Sequence, residues 1–230
     1  MMIPDLFTPA QPLSDLIDRN PAILGIMVRT GLGFAIGQAS VAEACQKYGV
    51  DAPTFLLICN IYTFKEYAPS AEDLERADVR TLLTYLHKSH DHYLGHALGS
   101  LATSIDRMLE PCDEQHRAVI RKFYADYKAE LERHFRYEEK KVFPLLEASV
   151  QPDAKATPYR KIEDNHHRID EKIEDLKNIV MKYLPKVCDD ALIACVLTNI
   201  YQLKYDLEQH TAVEDLMLVP MMDKLLGNGR

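Results

Sequence analysis

The chain has no run of about 18 uninterrupted apolar residues, so no segment is expected to span a bilayer. It has no CxxC, and its five cysteines (Cys45, Cys59, Cys112, Cys188 and Cys195) are an odd number. Such a set reads as reduced thiols in a cytoplasmic protein, not as a disulfide framework or a zinc site. Basic clusters are absent as well. With 27 basic against 35 acidic residues the formal net charge is -8, which argues against a nucleic-acid surface. The opening residues 1–19 lack a basic segment followed by a long apolar one, so no signal peptide is expected. Strand signals are missing throughout. What remains is a soluble, cytoplasmic, all-α protein, with 47% hydrophobic residues to build a core.

Composition changes near residue 70. The first 70 residues hold five of the nine glycines and six of the twelve prolines, with few charges. Short amphipathic pieces fit 13–20, 22–30, 40–48 and 53–64, with Gly31, Gly33, Gly37 and Gly49 between them. Residues 1–69 therefore predict a small helical N-terminal domain, and residues 70–230 a second domain of long charged helices. Ser70, followed by Glu72 and Asp73, offers an N-cap for a first helix reaching about Leu109, where Pro111 interrupts. A second helix, about 113–149, carries Val119, Phe123, Tyr127, Leu131 and Phe135 at helical spacing. A proline-containing break covers 150–158. A third helix, about 159–183, stops before Pro185, and a fourth runs from about 189 to Leu226. Four long helices with short connections predict an up-down-up-down four-helix bundle.

One unit occurs twice in this second domain. His90 precedes His134 by 44 residues and His166 precedes His210 by the same distance. Each second histidine is followed by Glu at the fourth position and Pro at the tenth: Glu138 and Pro144, then Glu214 and Pro220. The two copies are displaced by 76 residues.

In an antiparallel hairpin, residues equidistant from the turn lie at one height. The midpoints between successive histidines are residues 112, 150 and 188, which fall in the three turns placed independently from proline and capping signals. All four histidines are thus expected in one layer. A histidine and a glutamate four apart share a helix face, with about 6 Å of rise between them.

A lone His-x3-Glu is usually a solvated surface pair. Two such pairs, in register with two further histidines, point instead to a metal centre. Imidazole and carboxylate together suit iron, manganese or zinc. Two glutamates able to bridge, with two histidines for each metal, imply a dinuclear site. Iron is favoured, because two ferric ions with an oxo bridge and two carboxylates leave a modest buried charge.

The remaining histidines read differently. His87 lies one turn before His90 and offers an extra contact. His92, His96 and His116 read as surface residues. Of the adjacent His166 and His167, register selects His166. Tyr93 and Tyr137 follow ligand histidines by three residues and read as core packing, with a hydrogen bond to a metal-bound species as the alternative. The two prolines are expected to shape the bundle end.

The segments Ser89-His90-Asp91, Leu131–Pro144, Glu163–His166 and Leu207–Glu214 resemble the hemerythrin-like HHE proteins, and the four-His, two-Glu set resembles their repair-of-iron-centres type. Residues 16–51 are similar to the small N-terminal domain of that type. Where those proteins commonly carry a Cys-Cys pair in the glycine-rich turn, this chain has Ala35-Ile36.

The resemblance implies a non-haem di-iron centre with His90, His134, His166 and His210 as terminal ligands and Glu138 and Glu214 as bridges. It further implies a role in nitrosative and oxidative stress, repairing iron–sulfur clusters by iron delivery or by nitric oxide binding or reduction. An O2- or NO-binding sensor or carrier is the alternative, and a peroxide-consuming enzyme a third reading. Expected partners are NO, O2 or peroxide and damaged iron–sulfur proteins, with a homodimer contact through the N-terminal domain and no nucleic acid or membrane.

Overall fold

Every regular element in residues 6–147 and 162–225, which the computed structural model describes, is helical. An isolated antiparallel bridge between Pro12 and Ser40 is the nearest approach to a strand among them. These residues fall into two compact units. One gathers residues 6–89, 143–147 and 209–225; the other gathers residues 90–142 and 162–208.

The first unit opens with four short helices, each within about a residue of its expected bounds: α1 (Leu13–Arg19), α2 (Ile23–Thr30), α3 (Val41–Tyr48) and α4 (Ala52–Thr63). Their ends follow from local chemistry. The Ser40 hydroxyl accepts the Glu43 N–H while the Glu43 carboxylate accepts the Ser40 N–H, a reciprocal cap that satisfies two orphan donors of α3. Asp51 accepts the Thr54 N–H to start α4. Gly31 ends α2 at φ 93°, a conformation that costs a residue with a Cβ. Gly33 is fixed by packing instead, because a Cβ there would come within 2.7 Å of the Tyr48 hydroxyl oxygen. Leu13, Leu16, Ile23, Ile26, Met27, Phe55 and Ile58 form the buried interior, and α4 buries every residue from Thr54 to Tyr62.

The single helix expected from Ser70 to Leu109 is interrupted early. Ser70 does cap, but only the short α5 (Ala71–Arg76) follows it. The chain then restarts as α6 (Val79–His92). The cause is a second cap: the Asp78 carboxylate accepts both the N–H and the hydroxyl of Thr81, each at 2.8 Å. The Asp78 N–H in turn donates to the Thr54 hydroxyl at 2.7 Å.

In the second unit α6 gives way to a π-helical turn, Tyr93–Ala97, and then to α7 (Leu98–Leu109). α8 (Glu114–Tyr137) is followed by a second π turn, Glu138–Val142, and α9 (Phe143–Glu147) continues in the first unit. The break expected at 150–158 and the start of the third helix at 159 lie outside the described residues. α10 (Ile162–Lys182) and α11 (Asp190–Val213) are uninterrupted. A third π turn, Glu214–Leu218, and α12 (Val219–Leu225) close the described chain in the first unit.

α10 packs along α8, and both contribute to one core with α7 and α11 that includes Leu101, Ile105, Tyr127, Leu131, Ile173, Leu176 and Ile200. The expected apolar face of α8 is corrected at its start. Val119 and Phe123 are exposed, and Ile120 is buried in their place. Positions four apart advance 400° around a helix, so a stripe read at that spacing drifts about 40° per step and leaves the core face within a few turns.

Candidate metal centre

Each His-x3-Glu pair ends at a π turn. The second π turn begins at Glu138 and the third at Glu214, while the first follows His90 by three residues. In the first and third the widened i→i−5 bond is explicit: Leu98 N–H donates to the Tyr93 carbonyl and Val219 N–H to the Glu214 carbonyl. The duplicated prolines belong to this device. Proline in an α-helix clashes with the carbonyl four residues before it. For Pro144 that residue is Lys140, and for Pro220 it is Leu216; both lie inside a π turn and not in regular α-helix. Each proline thus accompanies a helical irregularity beside a candidate ligand carboxylate.

The second unit holds four of the six expected ligand residues, all buried: His90, His134, Glu138 and His166. Glu138 lies between the imidazoles. Its Oε2 is 3.3 Å from His90 Nε2, and its Oε1 is 3.3 Å from His134 Nε2 and 4.0 Å from His166 Nε2. One ligand atom from each of His134, Glu138 and His166 lies within 4.8 Å of the others, a grouping able to hold a metal ion.

His90 is oriented from two sides. Its Nδ1 is 2.7 Å from Glu139 Oε1, and its ring stacks on Phe135 with centroids 4.0 Å apart. A carboxylate on Nδ1 fixes the tautomer and turns Nε2 toward Glu138, the usual support for a metal-ligating histidine. His134 packs edge-on to His166, their centroids 4.8 Å apart.

The first unit holds the other two, His210 and Glu214, again buried, with His210 Nε2 3.3 Å from Glu214 Oε1. Tyr85 packs beside His210, ring centroids 6.2 Å apart. The Tyr85 hydroxyl is 2.6 Å from that of Tyr62, which also accepts from Arg29 Nη1 at 3.3 Å. All three side chains are buried. A hydrogen-bonded line from α2 through α4 and α6 therefore ends beside a candidate ligand. Sequence reasoning found neither this line nor Glu139. Arg29 and Tyr62 lie far from the ligands in sequence, and Glu139 is hidden by the neighbouring glutamate.

The remaining histidines separate from the cluster. His166 is buried whereas the side chain of His167 is 75% exposed, as the 100° between neighbours on a helix requires. His92 and His96 are exposed. His116 is half-buried and its ring nitrogen meets the capping Asp113 at 2.8 Å. His87 is half-buried, 3.4 Å from Glu147 and edge-on to Phe143. The Tyr93 hydroxyl donates to the Asp206 carbonyl at 3.1 Å within the core.

Imidazoles and carboxylates buried side by side on helices mark a helical metal-binding protein. Residues 78–222 match the Hemerythrin model, the hemerythrin HHE cation binding domain, and the chain belongs to that family. Its fold class is the all-α, hemerythrin-like bundle preceded by N-terminal helices. No curated protein matches the sequence. None of the helices among the described residues is long and apolar enough to cross a membrane.

Proposed function

We propose that His90, His134, His166 and His210, with Glu138 and Glu214 as bridging carboxylates, hold two iron ions. The observation that carries this reading is the position of Glu138, whose two oxygens each lie 3.3 Å from the Nε2 of a different histidine. That disposition would suit a carboxylate shared between two ions. The duplicated spacing extends the role to Glu214. Hard oxygen and borderline nitrogen donors without thiolate fit iron, and membership of the HHE family supports the same metal. Bound iron would supply redox chemistry and coordination positions for small diatomic molecules. The chain's own residues bury the site, fix the His90 tautomer through Glu139 and line one side of His210 with Tyr85.

On this basis the protein serves a cytoplasmic nitrosative and oxidative stress response. It acts in repair of iron–sulfur clusters, by iron delivery or by binding or reducing nitric oxide. Residues 1–69 form its partner-contact or dimerisation segment, and residues 70–230 the metal-binding domain. Metal analysis of the purified protein followed by anaerobic NO titration tests the proposal. Near two irons per chain with stoichiometric NO binding or turnover to nitrous oxide is expected. Zinc or a single metal per chain would refute the dinuclear iron site. Reversible O2 binding without NO chemistry would replace the repair role with that of a carrier.

A further inference from the structure

Outside the metal cluster, one pair of reactive side chains is brought together by the fold. Cys112 lies in the turn between α7 and α8, Cys188 in the turn between α10 and α11, and their sulfurs are 2.7 Å apart although 76 residues separate them in sequence. Both are buried, within the same core as Leu109, Ile120, Val180 and Val196. The separation of 76 is also the displacement of the metal-ligand repeat, so the two thiols occupy equivalent positions in its two copies.

The local structure is repeated too. The Cys112 N–H donates to the Leu109 carbonyl and the Cys188 N–H to the Pro185 carbonyl, each three residues back. Each cysteine immediately precedes an aspartate whose carboxylate accepts the N–H three residues on. Asp113 takes that of His116 and Asp189 that of Leu192. Each cysteine is thereby fixed just ahead of a capped helix, with its thiol turned into the core.

We propose that Cys112 and Cys188 are a redox-active pair that closes to a disulfide, stapling the two hairpin turns of the second unit. A shared metal ion is the poorer fit. Two sulfurs on one tetrahedral zinc, each at about 2.3 Å, sit roughly 3.8 Å apart. The oxidant is a hydroperoxide. One thiol attacks the O–O bond, forming a sulfenic acid and releasing an alcohol, or water from hydrogen peroxide. The second sulfur then attacks the first, an S–S bond forms as the S–O bond breaks, and the oxygen leaves as water with the remaining proton. Two thiols have lost two electrons and two protons, and an external dithiol reverses the change.

Burial sets the rate. Desolvation, followed by the hydrogen bond and charge of Cys112, pushes the Cys188 thiol up to about 12, so at neutral pH it is held as the thiol. Oxidation therefore awaits opening of the turn and is slow, and the closed staple is equally shielded from reductant. The inference is independent of the proposed iron chemistry, since neither cysteine is among the ligands.

The test starts from the unmutated protein. After reduction and removal of reductant it is treated with hydrogen peroxide, and its remaining thiols are alkylated and mapped by mass spectrometry. Linked Cys112 and Cys188 peptides are expected, with Cys45, Cys59 and Cys195 alkylated. A rise of roughly 5–10 °C in thermal midpoint, reversed by dithiol, should accompany the link because it closes a long loop. The rise should vanish in a Cys112→Ala, Cys188→Ala double variant. Separate alkylation of Cys112 and Cys188 after oxidation, or links to any other cysteine instead, would overturn the proposal.

Discussion

The two copies of the ligand repeat, 90–144 and 166–220, agree where chemistry or chain geometry constrains them and differ almost everywhere else. Both carry two histidines, a glutamate, a π turn and its proline, and both hairpin turns carry a cysteine followed by a capping aspartate. Around the rings the copies diverge. Phe135 stacks on His90, and its counterpart in the second copy is Thr211. Tyr93 corresponds to Ile169 and Glu139 to Asp215. The first copy's initial helix has a π turn after its histidine, whereas α10 runs through without one. His134 has His166 as its ring neighbour, while His210 has Tyr85. The proposed ligands are thus equal in type and unequal in surroundings, so two ions held by them would be bound with different strength.

The largest effect tests the part that is the same. Glu138→Ala and Glu214→Ala should each lower iron affinity by more than the roughly 10–100-fold that follows loss of a supporting partner, because each removes a proposed ligand. Iron per chain, measured by elemental analysis after dialysis, should fall alike in both variants. Full iron occupancy in either would end the equivalence of the two glutamates.

That symmetric part is also what the sequence made legible. Histidine spacing, the proline offsets and the four N-terminal helices were readable because they depend on helix period and caps, which are local. Three kinds of feature were not. The restart at Asp78 depends on a carboxylate choosing Thr81, a cap within what otherwise reads as continuous helix. The π turns add no residue type of their own, and their prolines read only as bends. The line from Arg29 through Tyr62 to Tyr85 and the meeting of Cys112 with Cys188 are tertiary, joining residues that no window brings together.

The next effect should break the symmetry. Glu139→Gln weakens the charge-assisted contact at 2.7 Å to His90 Nδ1, and iron affinity should fall about 10-fold or more. Asp215→Asn changes the shorter, exposed carboxylate at the equivalent position and should lower affinity less than Glu139→Gln does. A competitive chelator titration reads both. Equal losses would show that the second copy has an equivalent support.

Packing gives a smaller change in metal binding but a clear one in stability. Phe135 is buried and stacked on His90, so Phe135→Ala should cost about 3–5 kcal/mol of unfolding free energy. Thr211 is only half-buried, and Thr211→Ala should cost about 1 kcal/mol or less. Denaturant unfolding of the metal-free proteins separates this packing term from any loss of metal. Similar costs would mean that the stacked ring is not what distinguishes the first copy.

The smallest effect concerns the surroundings of His210. The Tyr62 and Tyr85 hydroxyls are buried and 2.6 Å apart, and Tyr62 also accepts from Arg29. Tyr85→Phe removes one hydroxyl while keeping the ring beside His210, so the expected loss is about 1 kcal/mol. Tyr62→Phe takes a partner from both Tyr85 and Arg29 and should cost more, about 1–3 kcal/mol. In the double variant the two losses should not add, because the second change removes a bond already gone. A coupling of about 1 kcal/mol is expected from a cycle measured by denaturant unfolding. Iron content should stay near that of the parent in all three, since no ligand is touched. Additive losses would mean that the hydroxyls contribute separately, and that the N-terminal helices reach His210 through ring packing and not through the hydrogen-bonded line. Non-additive losses would make that line a feature of the second copy, one that the His134 side of the repeat, with a histidine ring as its neighbour, does not reproduce.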